Sequence, residues 1–409
     1  MTAPAPNRNA LAFIFVTVAL DILALGIIIP VLPRLVLQFL GGDTARAAVI
    51  YGVFGTVWAL MQFVFSPVVG VLSDRFGRRP VILLSNFGLG LDYVVMALAP
   101  TLWWLLVGRI VSGISASSIS TAYAYIADVT PPERRAAAFG LIGVAFGLGF
   151  VLGPAVGGLL GGLDPRLPFW VAAGLSLANF LYGLFVLPES LPPGRRSASF
   201  SWARANPVGA LTMLRSHGEL SALAAVMFLS YLAHEVLPST TVLYMTYRYG
   251  WNEASIGLMM AAVGVCSAVV QGLLIRHAAQ RFPLRRVAMT GLLFGAVGFA
   301  IYASADNGAL FMAGVPVVAL WGLAGPAIQA LMTERVGPDE QGQLQGANSS
   351  LRGISGLIGP TIFTQAFAQF IGASGLHLPG APFYLAAALL AGAALLTVQA
   401  THKVAAKNA

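Results

Sequence analysis

Long apolar segments, separated by short polar turns, recur along the whole chain. A segment of about 20 residues crosses a bilayer as an α-helix. The pattern therefore predicts an all-α membrane protein. It places twelve spans near residues 11–33, 48–71, 80–99, 102–124, 137–160, 167–188, 219–241, 254–275, 287–303, 308–332, 342–371 and 382–402. The eleventh segment is long, and we expect a loop at one of its ends.

The chain divides near its middle at residues 189–218, which are rich in Pro, Ser and Arg. Such a composition is typical of a linker. We predict an N-terminal six-helix bundle over 1–188, a cytoplasmic linker, and a C-terminal six-helix bundle over 219–409.

The two halves also share a weak internal repeat. At one constant offset, Asp128 matches Glu334, Gly140 matches Gly346, and Gly153-Pro154 matches Gly359-Pro360. Internal repeats of this kind are common in membrane transporters.

Composition supports lipid as the solvent. Hydrophobic residues make up 57% of the chain and charged residues 9%, whereas a soluble domain carries about 25% charged residues. The single cysteine, Cys266, lies in an apolar run and excludes a disulfide framework. We predict that it packs, and we predict no metal site.

The distribution of basic residues predicts the orientation. Most of the 23 Lys and Arg fall on the side of the N-terminus, and the opposite loops hold only Arg34, Arg46, Arg166 and Arg248. By the positive-inside rule both termini are cytoplasmic. The net charge of +8 therefore requires no nucleic acid, and we predict none as a partner.

Three charged residues lie inside spans of the first half: Asp21, Asp92 and Arg109. A charge at the centre of a bilayer costs a few kcal/mol on insertion scales, roughly 2.5–3.5. Counting helical rise from the span ends places all three near the midplane. A nearby arginine favours the charged carboxylate and burial favours the neutral acid, so Asp21 and Asp92 are candidate proton carriers and candidate substrate contacts. Arg109 would orient substrate; the alternative is a static Asp–Arg bridge.

The second half carries His234-Glu235, just before Pro238 in the seventh span, and Arg352 in the eleventh. Imidazole is the side chain that ordinarily changes charge near neutral pH. The pair is a candidate proton relay, and His234 and Arg352 are candidate substrate contacts. The alternative is a water-exposed pair at the outer end of the span. Arg352 needs a partner, for which Asp21 and Glu235 are candidates.

Uncharged polar and aromatic residues also occur within the spans. Gln62, Gln271, Gln329 and Asn348 fit hydrogen bonds between helices better than substrate contacts, and Gln329 is the best contact candidate among them. Tyr93, like several tryptophans and tyrosines, would either form a wall for a planar ligand or anchor a helix at the interface.

The loop after the second span, from Gly70 to Arg79, reads GVLSDRFGRR. An acid within a cluster of arginines can lock one conformation, and we predict a gating role for Asp74, Arg75 and Arg78. The alternative is a positively charged cytoplasmic loop without further function.

This loop resembles the signature of the major facilitator superfamily. The fourth span, with Leu105, Arg109 and Ser112-Gly113, and the fifth, with Gly140, Gly149 and Gly153-Pro154, resemble the corresponding motifs of its drug antiporters. The resemblance implies the major facilitator fold of two pseudo-symmetric six-helix bundles, with Gly153 and Pro154 involved in gating.

A closer resemblance is to the tetracycline efflux proteins. It is carried by Asp21-x4-Gly26-x3-Pro30, Leu91-Asp92-Tyr93 and Tyr249-Gly-Trp251-Asn252. It implies export of a magnesium–tetracycline chelate in exchange for protons. That family has an essential aspartate in the ninth helix, where this chain has Gly295. We therefore expect His234 or Glu235 to couple protons in the second half.

Together these features predict a monomeric drug:proton antiporter of the bacterial inner membrane, not an enzyme. The chain has no Walker loop, so the proton gradient rather than ATP would supply the energy. No cofactor is implied, although magnesium could travel with the substrate. The alternatives are a proton-coupled exporter or importer of another small metabolite, and a membrane receptor that does not transport.

Overall fold

The computed structural model describes residues 8–116, 118–131, 134–196, 211, 214, 218–337, 340–372 and 376–405. Within these ranges, twelve helical segments are long and apolar enough to cross a membrane. The predicted all-α architecture and its twelve spans are thereby confirmed. Most of the predicted linker lies outside the described residues.

The first six spans contain eight helices. They are α1 (Arg8–Ile28), α2 (Leu32–Phe39), α3 (Thr44–Phe76), α4 (Arg78–Leu98), α5 (Leu102–Ser115), α6 (Ser118–Val129), α7 (Arg135–Leu163) and α8 (Leu167–Val186). The first span consists of α1 and α2, and the fourth of α5 and α6.

The other six spans contain nine helices and two short turns of different winding. The helices are α9 (Gly218–His234), α10 (Val236–Tyr249), α11 (Glu253–Val269), α12 (Ile275–Arg281), α13 (Leu284–Ser304), α14 (Gly308–Ala319), α15 (Ala324–Thr333), α16 (Gln341–Ile371) and α17 (Ala381–Ala405). A π-helical turn, Val270–Leu274, joins α11 to α12, and a 3₁₀ turn, Leu320–Leu323, joins α14 to α15.

Prolines account for two of the breaks within spans. Pro30 lies in the turn between α1 and α2. Pro238 follows the break between α9 and α10, and its missing N–H leaves the His234 carbonyl without its helical donor. The seventh span continues to Tyr249, beyond the predicted end at 241. His234 and Glu235 therefore lie near its middle, and their predicted alternative position at the outer end is wrong.

Within the described residues, the eleventh span does not contain the loop that was expected at one of its ends. α16 is continuous from Gln341 to Ile371, with Pro360 inside it. An unusually long helix had the same hydropathy signature as a shorter helix with a loop.

Contacts between Cα atoms divide the chain into two units. The first unit comprises Met1–Leu35, Val57–Asn206 and Asn252–Ala261. The second unit comprises Val36–Thr56, Pro207–Trp251 and Ala262–Ala409. Each half of the sequence thus lends a short segment to the unit formed mainly by the other half.

Glycines let α1 and α7 approach closely in the first unit. A Cβ atom built on Gly26 would lie 2.7 Å from the Gly149 carbonyl oxygen, and one on Gly153 would lie 2.6 Å from the Gly26 Cα. Small residues permit such close backbone contact between membrane helices. α7 also packs against the first turns of α11, where a Cβ built on Gly158 would lie 2.9 Å from the Gly257 Cα.

Aromatic rings form the core of the second unit. Tyr302 of α13 and Phe311 of α14 stack with centroids 4.0 Å apart, and Phe383 of α17 meets Tyr244 of α10 edge-on at 5.0 Å. The Tyr244 hydroxyl donates to the Tyr302 carbonyl at 2.9 Å. Aromatic pairs of this kind add roughly 0.5–1.5 kcal/mol beyond their burial.

The close contact between α1 and α7 leads to a stability prediction. Gly153→Val should lower the melting temperature of the purified protein, because overpacking costs about 1–3 kcal/mol. Gly147→Val on the same helix is the matched control, since a Cβ there meets nothing within 4 Å. Equal melting temperatures for the two variants would contradict the packing described above.

Candidate functional site

Asp21 of α1 is held by two asparagine amides from other helices of the first unit. Asn179 of α8 donates through Nδ2 to Asp21 Oδ1 at 3.1 Å and to the Thr17 carbonyl at 2.8 Å. In the orientation that satisfies its whole amide, Asn86 of α4 donates to Asp21 Oδ1 and Oδ2 at 3.1 and 2.9 Å and accepts from Asn179 at 3.1 Å. Both asparagines are completely buried. We call Asn86 and Asn179 the amide clamp.

Asp92, also on α4, has a very different environment. It is 3% exposed, and neither carboxyl oxygen has a hydrogen-bond partner among the described residues. Gly108 of α5 leaves room for it, since a Cβ there would lie 2.9 Å from Asp92 Oδ1. Burying an isolated carboxylate is costly, whereas burying the neutral acid is much less so. The two acids of this unit therefore differ sharply in their polar contacts.

Arg109 follows Gly108 on α5 and lies close to Asp92. Its guanidinium carbon is 5.4 Å from the centre of the Trp58 ring, a distance typical of a cation–π contact. Arg109 acts electrostatically on Asp92. Tyr93 is within electrostatic reach of Asp21, Asp92 and Arg109. The predicted cluster is therefore brought together, although the Tyr93 side chain is buried and does not form an open wall.

A second cluster surrounds the break between α9 and α10 in the second unit. The His234 ring lies 5.8 Å from the Trp321 ring, whose Nε1 donates to Ser230 Oγ at 3.2 Å. Arg352 of α16 lies over the ring of Tyr231 at 6.0 Å. Arg352 also acts electrostatically on His234 and Glu235. Glu235, one of the two partners that the sequence suggests for Arg352, therefore lies within its electrostatic range.

Gly295 of α13 lies beside the same tryptophan. A Cβ at this position would be 2.8 Å from Trp321 Cγ and 2.6 Å from Leu390 Cδ1. Side chains of neighbouring helices thus occupy the space that a carboxylate on this residue would need.

The side chains of Gln329 of α15 and Asn348 of α16 form a hydrogen bond with each other. Asn348 Nδ2 donates to Gln329 Oε1 at 2.6 Å. It joins two helices, which is the role that the sequence favours for both residues. Gln329 Nε2 and Asn348 Oδ1 are buried and have no further partner within the described ranges, so the pair retains one donor and one acceptor.

Arg78 ties together the loop after the second span. Its side chain pairs with Asp74 at 2.5 Å and with Asp128 of α6 at 3.1 Å, and its backbone N–H donates to Glu189 Oε1 at 3.0 Å. Arg196 pairs with the other Glu189 oxygen at 3.7 Å. We call this network, centred on Arg78, the Arg78 latch. Arg75 lies outside it, exposed and over the ring of Phe76.

Gly153 and Pro154 lie on α7, where that helix meets both α1 and the start of α11. The Pro154 carbonyl faces Gly257. Close by, Arg34 Nε pairs with the buried carboxylate of Glu253 at 2.9 Å. This end of the first unit is therefore joined by both close backbone packing and an ion pair.

Several residues of these networks carry no distinctive signal in the sequence. Asn86 and Asn179 are single amides in apolar helices, and their sole signal was a polar side chain inside a span. Asp128 belongs to the internal repeat, and Glu189 belongs to the predicted linker. Neither position suggested an ion-pair network before the fold was known.

Twelve spanning helices that carry carboxyl, guanidinium and amide side chains within their lengths define a polytopic membrane protein with the features of a secondary transporter. The family model described as Major Facilitator Superfamily matches residues 14–360 and 223–408. The chain belongs to the major facilitator superfamily, whose members are transporters rather than enzymes.

Curated relatives include tetracycline resistance proteins. The class C protein of Escherichia coli is 39% identical over 363 residues, covering 88% of this chain and 90% of the relative. The class G protein of Vibrio anguillarum is 36% identical, covering 92% and 96%.

Solved structures support the fold. The human organic anion transporter MFSD10 matches with a TM-score of 0.70 at 24% identity, covering 96% of this chain and 100% of the other. The nucleoside transporter NupG matches with a TM-score of 0.77 at 14% identity, covering 96% and 99%. The predicted major facilitator fold is confirmed.

The Arg78 latch leads to a second prediction. Arg78→Gln should lower the melting temperature by several degrees, because Asp74 and Asp128 lose their charged donor and each such hydrogen bond contributes roughly 1.5–3 kcal/mol. The control is Arg75→Gln, which removes the same charge from an exposed neighbouring position and should leave the melting temperature near that of the wild type. A similar effect of both substitutions would argue against the latch.

Proposed function

We propose that the protein exports an amphipathic, tetracycline-like drug in exchange for protons. The similarity to tetracycline resistance proteins over about nine tenths of both chains supports this substrate class. The observation that carries proton coupling is the pair of carboxyl groups, Asp21 and Asp92, within spanning helices of the first unit. Carboxyl groups inside a membrane protein are typical of proton relays.

In this proposal the drug and the protons compete for the cluster of Asp21, Asp92, Arg109 and Tyr93 in the first unit. A cationic group, or a magnesium ion carried by the drug as part of the substrate, favours charged Asp21 or Asp92. Binding therefore expels a proton, and a proton entering from the other side expels the drug. Arg109 orients polar oxygens of the drug, and Tyr93 stabilises the cluster. Exchange of one proton for one monovalent cation would be electrically neutral.

The second-unit cluster has a complementary role. Arg352 and the unused Nε2 donor of Gln329 are suited to oxygen atoms of the drug, since guanidinium and amide N–H groups donate hydrogen bonds to such acceptors. His234 and Glu235, within the electrostatic range of Arg352, relay protons in place of a ninth-helix carboxylate. The packing of Trp321 against Gly295 is consistent with this shift of function to another helix.

Gating completes the proposal. The Arg78 latch, which includes Asp74 and has Arg75 beside it, stabilises one conformation of the transport cycle. Gly153 and Pro154 allow α7 to change its contacts, since a helix with glycines and an internal proline bends more readily. We further propose that the protein functions as a monomer in the bacterial inner membrane, with both termini in the cytoplasm.

Asp21 provides the direct test of coupling. Asp21→Asn keeps the side-chain volume and removes the exchangeable charge, so it should abolish tetracycline uptake into inside-out proteoliposomes driven by a pH gradient. Asp43→Asn, at an exposed turn, is the control and should transport normally. The assay is run with and without magnesium, which tests whether the metal travels with the drug.

The same proteoliposomes distinguish the alternatives. Uptake of tetracycline by the Asp21→Asn variant at the wild-type rate would contradict the proposed coupling. A wild-type protein that dissipates the pH gradient only with another small metabolite would contradict the proposed substrate. Raised drug resistance in bacterial cells that express the wild-type protein is the corresponding expected result in vivo.

His234 tests the role of the second unit. His234→Ala should change the pH dependence of transport, because a proton-relaying group has been removed beside Glu235. His277→Ala is the control, since His277 is exposed near the end of its span. If His234→Ala and the wild type have superimposable pH profiles, the His234 side chain has only a structural role.

A further inference from the structure

The amide clamp has more hydrogen-bonding capacity than a structural contact requires. Asn86 and Asn179 direct their donors at one carboxyl group, Asp21, and connect α4 and α8 to α1. Asn179 Oδ1 is buried and has no partner within the described ranges. A buried polar atom without a partner is uncommon and requires an explanation.

We propose that Asn86 and Asn179 are positioning residues that hold Asp21 in both of its protonation states and make it, rather than Asp92, the exchanging group. This inference rests on the proposed proton coupling and deepens it. The clamp supplies donors to the charged carboxylate and an acceptor to the neutral acid.

The charged state corresponds to the contacts formed in the amide orientation assigned to Asn86 above. Asp21 Oδ1 accepts from both amides, and Oδ2 accepts from Asn86 at 2.9 Å. Hydrogen bonds to a charged acceptor are stronger than those between neutral groups. These donors replace the water that a carboxylate would lose inside a membrane protein.

The protonated state uses the remaining acceptor. A proton added to Asp21 converts one carboxyl oxygen from an acceptor into an O–H donor. Asn179 Oδ1 belongs to the same amide as the nitrogen that lies 3.1 Å from Asp21 Oδ1. A turn of that amide about its Cβ–Cγ bond lets Oδ1 accept from the acid, and Nδ2 then gives up its bonds to Asp21 and to the Thr17 carbonyl. The protonated acid thereby gains an acceptor in place of a donor.

Asp92 lacks comparable partners. Its two oxygens have none among the described residues, so loss of its proton would leave an unsolvated charge next to Gly108. The unequal environments of two acids are a general means of assigning them different roles. Asp21 thus exchanges the proton, and Asp92 keeps its proton until a cationic ligand or Arg109 compensates the charge.

Within the described ranges, tyrosines are the main other titratable side chains that the helices packed around Asp21 carry. Tyr93 on α4 lies within the electrostatic range of Asp21, Asp92 and Arg109. α8 contributes Tyr182, which packs edge-on against Phe13. α6 contributes Tyr123, which packs against Phe139, and Tyr125, whose hydroxyl donates to the Pro188 carbonyl. The face of α7 that meets α1 near Asp21 is formed by Gly149 and apolar side chains.

The test is a pH titration of the purified full-length protein by infrared difference spectroscopy, which detects the C=O band of protonated carboxyl groups. Asp21→Asn identifies the Asp21 band by its loss. Asn179→Leu removes both the donor to the charged carboxylate and the acceptor for the neutral acid. Because the hydrogen bond to the charged form is the stronger of the two, the band should persist to a pH about one unit higher than in the wild type. Asn86→Leu should give a shift in the same direction and serves if Asn179→Leu does not fold.

Asn348→Leu is the matched control, because it removes an equally buried interhelical amide of the second unit and should not move the Asp21 band. Unchanged titration of that band in both clamp variants, with melting temperatures near that of the wild type, would overturn the proposal. A titrating band that survives in Asp21→Asn and disappears in Asp92→Asn would also overturn it. The titration contains no drug, so an incorrect substrate assignment would not affect its outcome.

Discussion

A carboxyl group inside a membrane-spanning helix has lost its water, and other groups of the protein must stabilise its charge. This constraint acts on every part of the first unit. The helices are apolar on nearly all sides, so polar partners must come from a few side chains at matched depths. Asn86 and Asn179 supply the donors around Asp21, and the Thr17 carbonyl accepts from Asn179 and so helps to fix its amide. The glycine contacts between α1 and α7 keep the carboxyl-bearing helix in place.

The same constraint explains why charged groups occur in clusters and not singly. Arg109 lies over Trp58, and Arg352 lies over Tyr231. An aromatic face stabilises a cation without a compensating negative charge. Each unit therefore contains a guanidinium on a ring with at least one carboxyl group near it.

The two ends of the first unit are stabilised differently from its centre. The Arg78 latch and the Arg34–Glu253 pair use full ion pairs. These pairs lie near the ends of the spanning segments, where water can reach a charge more easily than at the centre of a bilayer. Contacts of this type are suited to a conformational switch, while the central amides are suited to a proton that must be transferred without exposing a charge to lipid.

The number of spans and the fold followed from the sequence, because hydropathy and the motif around Asp74 are local properties. The breaks at Pro30 and Glu235 did not, since each lies within a continuous apolar run. The position of His234 changed when the seventh span proved longer than predicted. The charged members of the clusters were visible as charges in apolar segments. Asn86 and Asn179 were not recognised, because an amide gains its role only from the residue that it faces in three dimensions.

The most direct measurement is the number of protons released when tetracycline is added to the purified protein in weakly buffered solution, read with a pH indicator. The account predicts proton release from the wild type and none from a variant that carries both Asp21→Asn and Asp92→Asn. Equal release from the two proteins, with equal binding of the drug, would contradict the claim that these carboxyl groups exchange protons for the substrate.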